Sequence, residues 1–420
     1  MRGVTINKGT VGASATFADN VCGLLLNGPA VAASGNITGL VNGTVYKITN
    51  VAAAVAMGID AAYDSANKVR VYRHISEFFR MAGEGSTLYF AIGAVAKNMK
   101  NLIEELGQTL IVAANGDISY IGVAFNPPTG YTPVALDGME QAVRDSIAPA
   151  QALHEWSWNS DRPVNLFLEG RGLSATGSAA IDLRSITVGA VVLKATHVSI
   201  CIGQDWDYAE TQDTNGKLFA DVGTMLGTKA SISCNRNIGE VESLNLSDAV
   251  NGIWLNSGLS NHSKIWTVDA QLSDYDTKGY VFGVTYTGIS GVRWNGDHVC
   301  SPATVDHNGY MSISTIGQGA TINKAARLLR GRLMPKIKST VPVDSKTGLL
   351  PAGMVKYFEN IGDEAFGQMA KAGEVSDGKS FVDPTSNLLT GSKALNVSFV
   401  VVPTASINAI VGTITLKTSI

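Results

Sequence analysis

No stretch of this chain approaches the ~18 consecutive apolar residues that a membrane-spanning helix requires. The most apolar run, residues 188–193, is long enough for a strand and nothing more. The opening MRGVTINKGTVGASATF also lacks the apolar core of a secretory signal, so a soluble product is expected. Cysteine is scarce and scattered. Cys22, Cys201, Cys234 and Cys300 form no C-x-x-C pair, which argues for buried thiols in a reducing compartment and against disulfides. Charge is scarce too: 16% of residues are charged, against about 25% in ordinary soluble domains. The net charge of −3 creates no field for nucleic acid. With 45 glycines and few charges, the surface suits coverage by partners, as in an assembly subunit.

The sequence motifs of nucleotide and hydrolase chemistry are missing as well. A phosphate loop needs G-x-x-x-x-G-K-[ST], so that backbone amides and a lysine enclose phosphates. The nearest segment, Gly223-Thr-Met-Leu-Gly227-Thr-Lys229, has the wrong spacing. No strand–GxGxxG–helix unit occurs. The G-x-S-x-G elbow is replaced by Gly172-Leu-Ser174-Ala-Thr-Gly177, one residue too long for a strained turn. No cofactor and no metal is expected.

What is present begins with alternation. From residue 67 to 300, helical and strand-like segments take turns, which predicts an α/β (α+β) layer with a mixed sheet. Residues 21–26, 87–92, 118–125, 164–168, 197–202 and 280–286 read as strands. Residues 50–64, 69–81, 98–106, 136–158 and 218–233 read as helices, with Pro149 expected to kink the fourth and small residues along one face of the fifth. Two constellations within this region define the enzyme alternative. Asp297-His298-Val299-Cys300, with Asp306 and His307 nearby, gathers base, acid and nucleophile types. Neighbouring side chains on extended backbone point apart, however, so a polar turn is the better reading. Asp205, Asp207, Glu210 and Asp213 form an acidic loop, but Ala209 stands at a ligand position of a calcium-loop register and no Glu sits at the twelfth.

Beyond residue 300 the pattern becomes helical, then extended. Lys324, Arg327, Arg330, Arg332, Lys336 and Lys338 occur with no acidic residue between Asp306 and Asp344. Ile322, Ala326, Leu329, Leu333 and Ile337 recur every three or four residues, so a helix with an apolar stripe and a basic face is predicted, ending near Met334 before Pro335. That face is either solvated or meets an acidic partner; Glu359, Asp363 and Glu364 on the next helix are candidates, within or between subunits. A second helix carries Met354, Phe358, Ile361, Ala365, Met369 and Ala372 and stops at Gly373. Two apolar runs follow, NVSFVVVP and INAIVGTITLK. In the second, Ile410, Gly412, Ile414 and Leu416 share one face of a strand. An extended chain end pairs with a neighbour's sheet edge without closing an extra loop, which makes it a natural strand donor.

The ordered set D-x-x-TGLLPAG, MAKAGEVSDG and FVDPTSNLLTGSKALNVSFVVVPTASINAIVGTITLK resembles the C-terminal domain of contractile tail sheath proteins. Weaker similarity covers GLLLNGPA, NVAAAVAMGIDAAYD, DVGTMLGTKASISCNRNIGEV and DTKGYVFGVTYTGISGVRW. The resemblance implies an N-terminal linking arm over residues 1–25, an outer or middle α/β domain over 26–300, an inner assembly domain over 301–392 and a strand arm over 393–420. It implies strand donation between copies through Val4 and Ile6 at one end and through Val397, Phe399, Val401, Ile410, Ile414 and Leu416 at the other. It implies that Lys324, Arg327, Arg330, Arg332 and Lys336 face the inner tube or another subunit. The implied partners are further copies in hexameric rings and a helical polymer, a tail tube protein, and baseplate and terminator proteins of a virion tail, without membrane or nucleic acid.

Overall fold

The computed structural model describes residues 20–390, 393–412 and 416. Its centre is a seven-stranded sheet: β1 (Cys22–Asn27), β2 (Val45–Ile48), β3 (Leu88–Gly93), β4 (Tyr120–Val123), β5 (Asn165–Glu169), β6 (Val198–Cys201) and β7 (Tyr280–Val281), in the spatial order β7-β6-β5-β4-β1-β3-β2. All neighbours are parallel except β2, which runs antiparallel to β3. The sheet is thus mixed, and the class is α/β. Helices cover both faces, so the inner strands are buried throughout and their sequences read as unbroken apolar runs rather than alternation.

One face packs α3 (Val71–Ala82), which follows α1 (Val51–Ala56) and α2 (Ala61–Asn67), together with α6 (Val222–Ala230). The other packs α4 (Met99–Ala113) and α5 (Ile147–Asn159). Local chemistry sets these ends. Gly58 (φ +85°) separates α1 from α2, so the single helix expected over 50–64 is two. Asn98 and Asn101 form a reciprocal cap that starts α4, and Gly83 (φ +85°) ends α3. The long helix expected over 136–158 is also divided. Residues 135–140 form a small hairpin, Gln141–Arg144 a single turn, and α5 starts only at Ile147, which places Pro149 in its first turn, where proline costs no hydrogen bond. The small residues of α6 have a clear purpose: Gly223 and Gly227 lie against the backbone of His74 and Phe78, so α3 and α6 cross at close range.

After β7 the chain forms an antiparallel pair (Gly283–Tyr286, Ile289–Trp294) and then the C-terminal elements: α7 (Ile316–Leu333), α8 (Ala352–Lys371), β8 (Val375–Val382) and β9 (Val397–Pro403). Pro335 sits in a 3-10 turn directly after α7. No helix among the described residues is long and apolar enough to cross a membrane.

Candidate functional site

The C-terminal elements form their own small cores. Ala325, Leu328 and Leu329 of α7 meet Ala365, Phe366 and Met369 of α8 and Val375 of β8; Phe358 and Val382 join Leu350 nearby. β8 and β9 pair antiparallel from Val382↔Val397 to Val375↔Pro403, and the ribbon lies flat on α8 because Gly362 and Gly378 leave room for Ser380 and Phe366. Phe399 reaches Phe366 edge-on at 6.2 Å, while Val397 and Val401 are half-buried. The opposite face exposes Phe381, Val400 and Val402. Since the ribbon has two strands, each has an outer edge with no strand beside it among the described residues.

Of the residues expected to donate strands, Val397, Phe399 and Val401 belong to β9, which pairs with β8 of the same chain and has no strand on its other edge among the described residues. The connection over residues 383–396 returns the chain beside β8. The second run differs. Residues 404–412 adopt no regular structure, and Ile407, Ile410, Val411 and Leu416 are 82%, 89%, 95% and 98% exposed. Val4, Ile6 and Ile414 lie outside the described residues.

The basic set is mostly engaged within the chain. Arg327 is buried, not on an exposed face: Nη2 donates to the Pro163 carbonyl at 2.7 Å and to that of Ile118, and Nη1 to Ser119 Oγ at 3.0 Å. It thereby fastens α7 beneath the amino ends of β4 and β5. Lys324 pairs with Glu374 (2.5 Å), Arg330 with Asp161 (2.7 Å), and Arg332 with Glu364 (2.9 Å) and Gln368 (3.0 Å). Lys336 stands over the Tyr357 ring at 5.4 Å. The Arg330 and Arg332 pairs are solvent-exposed and contribute at most about 1 kcal/mol each.

Neither catalytic constellation assembles. Asp297 is buried and accepts from Gly317 N (3.1 Å) and Asn237 Nδ2 (2.9 Å), so it caps α7. His298 meets Asp276 (2.8 Å) and Arg184 (3.1 Å), whereas Cys300 is enclosed in the sheet core, where burial pushes its thiol up to about 12. Asp306 accepts from the amides of Asn308 and Tyr310 in a polar turn, and His307 is exposed. The acidic loop disperses likewise: Asp205 meets Arg73 (3.2 Å) and Trp254 N (3.0 Å), Asp207 meets Asn256, Glu210 meets Lys217 and His262, and Asp213 accepts from Gly216 N. Among the described residues no group of three or more His, Cys, Asp and Glu converges to hold a metal. What sequence reasoning missed is β8 itself. Its Asp377-Gly378 pair reads as a turn, and the signal against a turn is the spacing of Val375, Ser380 and Val382, the strand's buried residues.

The fold has a counterpart among solved structures. A chain in the "Cryo-EM structure of the anti-feeding prophage (AFP) baseplate, 6-fold symmetrised" superimposes with a TM-score of 0.58 over 99% of both chains, at 12% sequence identity. No curated protein sequence matches. The model of the DUF2586 N-terminal domain matches residues 2–298, well over half of the chain, and the protein belongs to the DUF2586 family.

Proposed function

We propose that the chain is a structural subunit of a contractile sheath, in a phage tail or related injection machine, which polymerises as stacked hexameric rings around an inner tube. The observation that carries this reading is the C-terminal tail. Ile407, Ile410, Val411 and Leu416 follow the β8–β9 ribbon with almost their full side chains in water, and among the described residues neither outer edge of that ribbon carries a further strand. Burying a side chain of this kind contributes about 1.5–3 kcal/mol, and each added backbone hydrogen bond about 0.5–1.5 kcal/mol. A donated tail therefore supplies several kcal/mol per link. That suffices to tie neighbours already held in a lattice, where the ~4–15 kcal/mol cost of free association has been met once by the whole assembly.

With no phosphate-binding loop in the sequence, work comes from an extended array that relaxes to a lower free energy. The tails keep subunits linked while surface pairs such as Arg330–Asp161 and Arg332–Glu364 exchange partners. A tail tube protein and baseplate and terminator proteins are the further partners of this reading, and assembly in a host cytoplasm followed by incorporation into a tail particle is the location.

The shared architecture with a baseplate chain over 99% of both molecules favours a second reading, a single baseplate ring. Negative-stain microscopy of the purified chain separates the two. Tubes of variable length support the sheath, rings of fixed height support the baseplate, and a uniform small oligomer overturns both.

A further inference from the structure

The sequence contains seven Asn-Gly steps, and each carries the same latent chemistry. The backbone nitrogen of the glycine attacks the asparagine Cγ, a close approach that the missing Cβ permits. The N–Cγ bond forms, the Cγ–Nδ2 bond breaks, and ammonia leaves with the proton of the glycine nitrogen. Water then opens the five-membered imide at either carbonyl, which gives aspartate or isoaspartate; no catalyst takes part. A glycine N–H that is already hydrogen-bonded must give up that bond before it attacks, so the fold decides which step reacts.

Six of the seven are held. Gly28 N donates to the Gly93 carbonyl (3.0 Å), Gly43 N to that of Ile92 (2.8 Å), Gly116 N to that of Ile111 (3.1 Å) and Gly309 N to that of Asp306 (3.1 Å). Gly216 N donates to Asp213 Oδ1 (2.7 Å). Gly296 is buried, and the Asn295 amide before it is fixed at both ends: Oδ1 accepts from Phe282 N (2.9 Å), and Nδ2 donates to Asp276 Oδ1 (2.7 Å) and to the Tyr280 carbonyl (3.0 Å).

Asn251-Gly252 differs. Gly252 N has no acceptor among the described residues, and nothing stands within 4 Å of the place a Cβ would take. The step lies in a loop whose residues 249–252 are all exposed, closed by the backbone pair of Asp248 and Ile253 (2.9 and 3.0 Å). The Asp248 carboxylate accepts from Val250 N and Asn251 N (3.1 Å each) and from Asn251 Nδ2 (2.6 Å). The last of these bonds restrains the reacting side chain, but it lies in solvent, where water takes its place.

We propose that Asn251 is a site of spontaneous deamidation, the Asn-Gly step that the folded chain leaves reactive, and that it adds one negative charge per subunit to the 248–253 loop as the protein ages. The product sets a carboxylate where the Nδ2 donor now faces Asp248, whose own carboxyl that donor holds below the usual carboxylate range. Isoaspartate also lengthens the backbone inside a loop closed by a single residue pair, so those closing bonds open. The proposal does not depend on the assembly role.

The test incubates the full chain at mildly alkaline pH, folded and, in parallel, unfolded in urea. Tryptic peptide mass spectrometry locates each amide lost, and methyl transfer by a protein isoaspartate methyltransferase reports isoaspartate. The unfolded chain is expected to convert all seven steps at similar rates. The folded chain is expected to convert Asn251 at least several-fold faster than the other six, to a mixture of aspartate and isoaspartate. Asn251→Gln, whose longer side chain closes a six-membered ring far more slowly, is expected to remove the fast isoaspartate signal from the folded chain. The proposal is overturned if Asn251 keeps its amide when folded but reacts when unfolded, if Asn308 or Asn115 reacts first in the folded chain, or if Asn251→Gln leaves the fast signal unchanged.

Discussion

Replacing Gly227 by alanine sets two known effects against each other. Alanine in place of glycine within a helix is worth about 1 kcal/mol of stability. At Gly227, however, the added Cβ meets the Phe78 carbonyl oxygen at 2.5 Å and the Phe78 Cα and Met81 Cβ at 2.9 Å. Ordinary contact lies beyond 3.4 Å, so α3 has to retreat by nearly 1 Å from a close-packed interface. Overpacking of this kind costs about 1–3 kcal/mol, and here the obstacle is backbone rather than a flexible side-chain end. The clash wins, and Gly227→Ala is expected to lose about 1–2 kcal/mol. Gly367 in α8 is the control, because nothing stands within 4 Å of its added Cβ. Gly367→Ala keeps the helix gain of about 0.5–1 kcal/mol. Urea unfolding of both variants beside the parent chain reads the difference. If both shift in the same direction, the close α3–α6 crossing is not a determinant of this fold.

Arg327→Met leaves the carbonyls of Ile118 and Pro163 without their guanidinium donor and is expected to cost about 2–4 kcal/mol in the same assay, whereas Arg332→Ala, which removes an exposed pair, costs under about 1 kcal/mol. The pH response of His74 follows from its burial. Desolvation, with Arg70 and Arg73 alongside, depresses its pKa from 6.5 to about 3, so it stays neutral and accepts from Gly223 N while the unfolded chain takes up a proton below 6.5. Stability from this group is full above pH 6.5 and falls as the pH drops, by about 2 kcal/mol at pH 5. His74→Asn, which keeps an acceptor, is expected to lose about 2 kcal/mol less than the parent between pH 7 and 5. Asp64 and Asp221, raised by burial to about 7 and about 6, respond in the opposite sense but cancel in that comparison.

The sheet was legible in the sequence because its strands are short apolar runs between punctuated helices. The runs at 21–26, 87–92 and 197–202 coincide with β1, β3 and β6 to within a residue or two. Helix ends set by Gly83 and Pro335 were legible for the same local reason. What was not legible depends on contacts between distant segments. No spacing rule shows that Arg327, in step with the other basic residues, turns inward to carbonyls some two hundred residues away. The hairpin at 187–192, with Val188, Val191 and Val192 exposed, reads as core by composition alone. The ribbon β8–β9 was half-visible: β9 is plainly a strand, but its partner hides behind an Asp-Gly pair.

The most direct test of the central claim is a cross-link between different molecules. One protein carries Phe381→Cys on the exposed face of β8, and the other carries a single cysteine placed in turn at Ile407, Ile410 and Val411; the native cysteines are all buried. Mixed during assembly and oxidised, the pair is expected to give a disulfide-linked dimer of the two different chains at one of these positions, and none when each is oxidised alone. If no heterodimer forms at any position while rings or tubes still assemble, the tail does not join one copy to the next.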